Sequence, residues 1–385
     1  MQRAETVLGI IEQHAQSLDY TFKRLYRNLY NPDFYFRTAD QLHLAITADE
    51  IDAAVRELRN QRLPQGNKLI KIIESMVCEL LTAVYKPFFE KKLDLGSSLY
   101  RLKTEFKDVN WVISGSLESG FRELDMKSFQ AGFQDRIDDN RLIELIYRLV
   151  KDRVRAPLYW TALEIYLNQV DQWFEGQDSC YVRFGAEIAV GIKDLSREAA
   201  EGFWEGLSTY ISGKLGCSFS SQEFLLTSWT NSAHFNFFGY EISLSDHNIR
   251  VKVPTQVIND RLKPFRSGTK AVHRGYLMNL DAAEIIRVYA KEIRSLYNRY
   301  CYADNIAYQL RKFHYYHRQS LVKTLAAKLK LSAAQVVKRY SLDGTIGVWD
   351  DGKAVKYCDF SFARKRLTGE PYAGKPARTV RRGKL

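Results

Sequence analysis

Cationic and aromatic side chains crowd two stretches of this chain, Lys291–Asn305 (KEIRSLYNRYCYADN) and Lys312–Lys328 (KFHYYHRQSLVKTLAAK). Such a mixture suits phosphate neutralisation with rings beside it, which is recognition of a polyanion and not covalent chemistry. Groups for other chemistries are thin. His314 and His317 stand three apart, half of a metal site, but no carboxylate joins them at suitable spacing, so packing or stacking is the expected use. Gly96, Gly115 and Gly120 form no phosphate cradle, and there is no Walker-type Gly-x-x-x-x-Gly-Lys loop. No nucleophile-elbow motif supports a Ser/His/Asp triad. The five cysteines (Cys78, Cys180, Cys217, Cys301 and Cys358) are odd in number and scattered, without a CxxC pair. That pattern predicts reduced thiols in a cytosol-like compartment and argues against a zinc site.

Charge points the same way. The net charge of +12 is unevenly placed: from Arg261 onward there are 27 Lys/Arg and 9 Asp/Glu, against 30 and 36 before it. A basic C-terminal third on a mildly acidic body is the footprint of a polyanion-binding module. Hydrophobic residues make up 45% and aromatics 13% of the 385 residues, enough for two or three folded domains. No apolar run approaches the roughly 18 residues of a membrane span. Glu5, Glu12 and Asp19 interrupt the first twenty residues, so neither a signal peptide nor an acid-poor transit peptide is expected there.

The elements that must position these groups are legible in outline. Thr47 and Glu50 stand three apart ahead of Ile51, Val55 and Leu58, a capping box opening a helix. Leu69–Phe89 is a strongly apolar helix stopped near Pro87. Trp111–Leu117 reads as a short strand, Asp139–Asp152 and Thr161–Glu175 as helices, and Tyr181–Ile192 as two strands around a tight turn at Gly185–Ala186–Glu187. A helix follows over Ser196–Gly216, then strands over Phe235–Ser245 and Ile249–Pro254. From Asp281 the pattern is helical again: Ile285, Tyr289, Ile293, Leu296 and Tyr300 make one apolar stripe, and Ile306, Leu310, Phe313, His317, Leu321 and Leu325 a second. Ser332 with Gln335 caps a third helix, and Arg364–Leu385 is a basic tail. The predicted class is α+β.

Those two basic stretches resemble the thumb or X domain of group II intron-encoded reverse transcriptase/maturases. Weaker likeness runs upstream: Leu25–Tyr35 resembles the family's entry motif, Lys71–Phe89 its finger helix, Val109–Phe129 a palm strand, and His234–Ile242 its FLGY strand. The order strand, helices, hairpin, helix, strands is that of a polymerase palm. The resemblance implies a degenerate right-hand polymerase followed by an α-helical thumb. Its divisions would be a helical and reduced-fingers region over 1–108, a palm over 109–260, a thumb/X domain over 261–342 and a basic extension over 343–385.

The departures are chemically specific. Nucleotidyl transfer in this family uses two Mg²⁺ ions held by palm carboxylates. The Asp of the family's Gly-Asp becomes Ser116, the following Phe-Asp becomes Phe121–Arg122, and the YADD hairpin becomes Phe184–Gly185–Ala186–Glu187. The family's nucleotide-pocket Pro-Gln-Gly-Gly and its C-terminal endonuclease region are not found either. One remaining glutamate does not anchor two hard cations. Glu118, two residues after Ser116, would share its face on an extended strand and is the only second acid at hand.

The resulting expectation is a non-enzymatic, maturase-like protein that binds structured RNA, with a group II intron as the implied partner, DNA as a further one, and no metal or cofactor. The expected RNA contacts are Arg287, Lys291, Arg294, Arg299, Arg311, Lys312, Arg318, Lys323 and Lys328, with Tyr297, Tyr300 and Tyr315 as stacking or packing partners. If six to ten of them meet phosphates, affinity should fall about 10³–10⁵-fold between 50 and 200 mM salt. Two readings stand beside this one: an active RNA-directed DNA polymerase with an unusual metal site, and a domesticated scaffold binding nucleic acid. The expected compartment is a bacterial cytoplasm, or an organelle whose genome encodes the protein.

Overall fold

The computed structural model describes residues 2–194, 196–216, 223–230, 233–245 and 248–357. The chain divides into two compact units, Met1–Ser98 with Asp108–Trp229, and Leu99–Lys107 with Thr230–Leu385. The division therefore falls near 229, not at 260. The basic tail from Arg364, Cys217 and Cys358 lie outside the described residues.

The first unit is built on helices that the sequence marks clearly. Thr47 and Glu50 form a complete capping box on the Ala48–Arg59 helix. Asn67–Val84 buries Ile72, Ile73, Met76, Val77, Leu80 and Leu81 along one side. It stops before Pro87, which sits in the first turn of a separate short helix, Lys86–Lys91. Pro157–Phe174 packs against Asn67–Val84. Beside the helices lies an antiparallel four-stranded sheet in the order Cys180–Phe184, Glu187–Ile192, Trp111–Ser116, Phe224–Ser228. Gly115 is required by its neighbour: a Cβ there would stand 2.4 Å from the Phe224 ring.

The second unit opens with an antiparallel sheet of His234–Phe237, Tyr240–Ser245 and Asn248–Lys252. Its first hairpin turns at Phe238 and Gly239, both at positive φ. The helices Ala282–Tyr300, Ile306–Leu329 and Ala333–Arg339 follow, with Asp281 and Ser332 as N-caps. The segment joining the first two is tied to the sheet. Asp304 accepts from the Val251 amide at 2.9 Å, its own amide donates to the Val251 carbonyl at 2.7 Å, and Asn305 accepts from the Val253 amide at 2.8 Å. Hence the strands through Lys252 belong with the helices of the second unit and not with the four-stranded sheet of the first.

The sequence reading assigned 343–385 to a basic extension. Instead, Ser341–Leu342, Thr345–Asp350 and Lys353–Lys356 form an antiparallel sheet packed on Ala282–Tyr300. Its turns are Asp343–Gly344 and Asp351–Gly352, each with both residues at positive φ. An Asp-Gly pair is the strongest short-range hairpin signal, and both pairs were readable in the sequence. The mixed helix-and-strand content is that of an α+β protein.

Candidate functional site

Two places carry the functional question: the end of the four-stranded sheet, and the outer faces of the second unit's helices. In the sheet, the Trp111–Ser116 strand pairs with Glu187–Ile192 so that Ser116 lies directly opposite Glu187. The hairpin that joins Cys180–Phe184 to Glu187–Ile192 puts Gly185 at φ +61 and buries Ala186. The backbone of Leu117 donates to the Ala186 carbonyl at 2.9 Å, fixing the strand end to the hairpin.

Glu118 departs from expectation. The strand ends at Ser116, and Glu118 is the first residue of the short helix Glu118–Glu123, so the two do not share a strand face. Its amide donates instead to the Ser116 hydroxyl at 3.3 Å. Its carboxylate pairs with Arg122 Nη2 at 3.3 Å and with Arg155 Nε at 3.4 Å. Arg122, standing where the resemblance implies an acid, thus occupies the other nearby carboxylate. The Lys151 ammonium donates to the Arg122 carbonyl and adds a further cation. A hydroxyl, an acid neutralised by two guanidinium groups and the hairpin's Glu187 do not fit a pair of Mg²⁺ ions, which need convergent anionic oxygens. Among the described residues no group of three or more His, Cys, Asp or Glu is placed to hold a metal ion.

The hairpin is held from behind by buried charge that sequence reasoning missed. Arg183 is almost fully buried and donates through Nε to Asp171 at 2.8 Å, through Nη1 to Glu164 at 2.8 Å, and to the Gly185 carbonyl at 2.7 Å. The Tyr181 hydroxyl donates to the same Asp171 at 2.7 Å. Burial penalises the Arg183 charge, but its acid partners outweigh this and hold its pKa above the ordinary value.

In the second unit the predicted cations separate into two groups. Lys312 donates to Asn259 at 2.9 Å, Lys323 to the Ala271 carbonyl at 2.7 Å and Lys328 to the Met278 carbonyl at 2.9 Å. These ammonium groups pin the 255–280 segment onto the Ile306–Leu329 helix. Arg287 pairs with Asp350. Arg299 lies over the Phe238 ring at 4.1 Å and donates to its carbonyl at 3.2 Å. Lys291, Arg294 and Arg311 are exposed and Arg318 half-buried, and none of the four has an acidic partner among the described residues.

The tyrosines sort as sharply. Tyr297 and Tyr300 are buried, and Tyr300 packs edge-on against Tyr240. Tyr315 is exposed, as is Tyr308, which the sequence reading passed over. His317 is fully buried among Phe265, Tyr289 and Phe313. Burial pushes its pKa down. Burial also opposes ionisation of Glu292, but bonds from His317 and Arg274 overcome it and leave that pKa lowered. Glu292 therefore stands ionised against Arg274 Nη1 at 2.8 Å. Neutral His317 then carries its proton on Nε2, 3.1 Å from Glu292, and accepts at Nδ1 from the Tyr357 hydroxyl at 2.9 Å.

Residues 251–364 match the family model described as Type II intron maturase, a span that includes the basic helices and the appended sheet. The chain is 21% identical to the group II intron-encoded protein LtrA of Lactococcus lactis subsp. cremoris, across 91% of this chain and 82% of the relative. The same figures hold for LtrA from strain MG1363. Similarity thus extends through both units and is not confined to the helical one. No described helix is long and apolar enough to cross a membrane.

Proposed function

We propose that this chain is an RNA-binding, maturase-like protein whose reverse-transcriptase-like unit performs no nucleotidyl transfer. The carrying observation is the register of the palm-like sheet: neutral Ser116 faces Glu187, while Glu118 is bound to Arg122 and Arg155. Arg122 and Arg155 compensate the Glu118 charge on which two-metal chemistry would draw. The maturase match over 251–364 and the cations Lys291, Arg294, Arg311 and Arg318, which have no acidic partner among the described residues, support an RNA partner of the group II intron kind. On this reading the protein grips folded RNA through phosphate neutralisation and shape, favouring the splicing-active fold.

Crosslinking and sequencing of RNA bound to the intact protein in its native host tests this. The expected result is enrichment of one structured RNA, crosslinked at peptides from 282–329. Crosslinking no greater than that of an unrelated basic protein contradicts it.

A further inference from the structure

The outer face of the Ile306–Leu329 helix carries an alternation that bulk positive charge does not explain. Tyr308, Arg311, Tyr315 and Arg318 follow one another at steps of three, four and three residues, which places them along one side of an α-helix. Tyr308 is 71% exposed and Tyr315 58% exposed, among the largest values for any big hydrophobic side chain in the chain. The inward stripe of the same helix, Leu310, Phe313, His317, Leu321 and Leu325, is buried, so folding does not require these rings. Neither arginine has an acidic partner among the described residues.

We propose that this stripe takes unpaired nucleotides of RNA, stacking bases on Tyr308 and Tyr315 and neutralising the adjoining phosphates with Arg311 and Arg318. The inference rests on the RNA-binding reading and specifies its substrate class. Three physical points carry it. Tyr315 meets the Tyr316 ring edge-on at 5.1 Å and is still 58% exposed; an exposed ring gains from a base only if the base offers a free face, and duplex bases have both faces already stacked. The seven-residue separation of the tyrosines is about 10.5 Å along the axis, and stacked bases rise about 3.4 Å per step. The two rings therefore take separate bases and do not clamp one. The arginines fall between and beyond the rings, the positions where a strand linking two stacked bases carries its phosphates.

The test uses the intact protein and fluorescein-labelled RNA, comparing a single-stranded 12-mer with the blunt 12-base-pair duplex of the same sequence. Binding is followed by anisotropy at several salt concentrations. The single strand is expected to bind more tightly, and the Y308L/Y315L double variant to lose about tenfold or more on it. Binding of the duplex and the steepness of the salt dependence should stay unchanged, and Y308F/Y315F should bind like the parent. Equal affinity of the parent for both RNAs, or an equal loss on both in the leucine variant, overturns the inference while leaving RNA binding intact. Retention of single-strand binding by the leucine variant does so too, and points to the stripe meeting a protein instead. Absence of binding to either RNA sinks the underlying reading as well.

Discussion

Glu118 is the residue on which the chemistry turns. A carboxylate accepting from Arg122 and Arg155 has its charge compensated, and drawing a divalent ion to it means breaking both pairs. Because these guanidinium groups are 48% and 68% exposed, the pairs themselves add little stability. Glu118→Ala should cost less than about 1 kcal/mol, readable by denaturant melts. The cations of the helical unit allow a sharper separation at this scale. Lys323→Met removes an ammonium that holds the Ala271 carbonyl and should lower the melting temperature with little direct effect on RNA affinity. Arg294→Gln removes an exposed charge without an acidic partner among the described residues. It should leave melting within error and weaken RNA binding, most strongly at low salt. Equal behaviour of the two variants would show that the division into structural and ligand-facing cations is mistaken.

Among elements, the 180–192 hairpin is the most tightly specified. Its turn is fastened through Arg183 to Asp171 and Glu164, all within the first unit. Removing one member of a buried charge network strands the others, so Arg183→Ala should destabilise that unit by about 3–5 kcal/mol. A loss under 1 kcal/mol in urea unfolding would contradict this. Much at this scale was readable in advance. The capping boxes at Thr47 and Ser332 formed as their spacing demands, because a cap is satisfied by residues three apart and needs nothing distant. The inward stripes of the two long helices also appeared as the periodicity indicates. The expectation that Glu118 shares the Ser116 face holds only if the strand runs on past Leu117, and Leu117–Glu118 contains no breaker to forbid it. Tertiary pairing ended the strand at Ser116 instead. The roles of Lys312, Lys323 and Lys328 were hidden for a related reason: a lysine facing outward by helical phase still reaches a carbonyl on a neighbouring segment. The appended 341–356 sheet was overlooked although its two Asp-Gly turns announce it, since strands this short show little alternation.

At the scale of the whole molecule, the charge count overstates the electrostatic grip. Of the nine cations expected to meet phosphates, Lys291, Arg294, Arg311 and Arg318 are left among the described residues once the five engaged within the protein are set aside. The 10³–10⁵-fold loss expected from the sequence therefore shrinks to about 50–150-fold between 50 and 200 mM salt. A titration of Kd against salt reads this directly, and a slope near that of eight contacts would show that the basic residues from Arg364 onward or other surfaces contribute. Stability should carry a signature of its own. Burial holds the His317 pKa in the folded protein, where it faces Glu292, Arg274, Tyr289 and Tyr357, below that of the unfolded chain, which takes a proton near pH 6.5. The unfolded state then binds more protons on acidification, so stability should fall as pH drops from about 7 to about 5. His317→Gln should flatten that limb of the curve, and an unchanged limb would contradict the assignment. The account as a whole meets its most direct test in primer extension on an RNA template with Mg²⁺ or Mn²⁺, using protein shown in the same tube to bind the template. It predicts bound RNA and no added nucleotides. Template-directed extension that disappears in Glu187→Ala would contradict it.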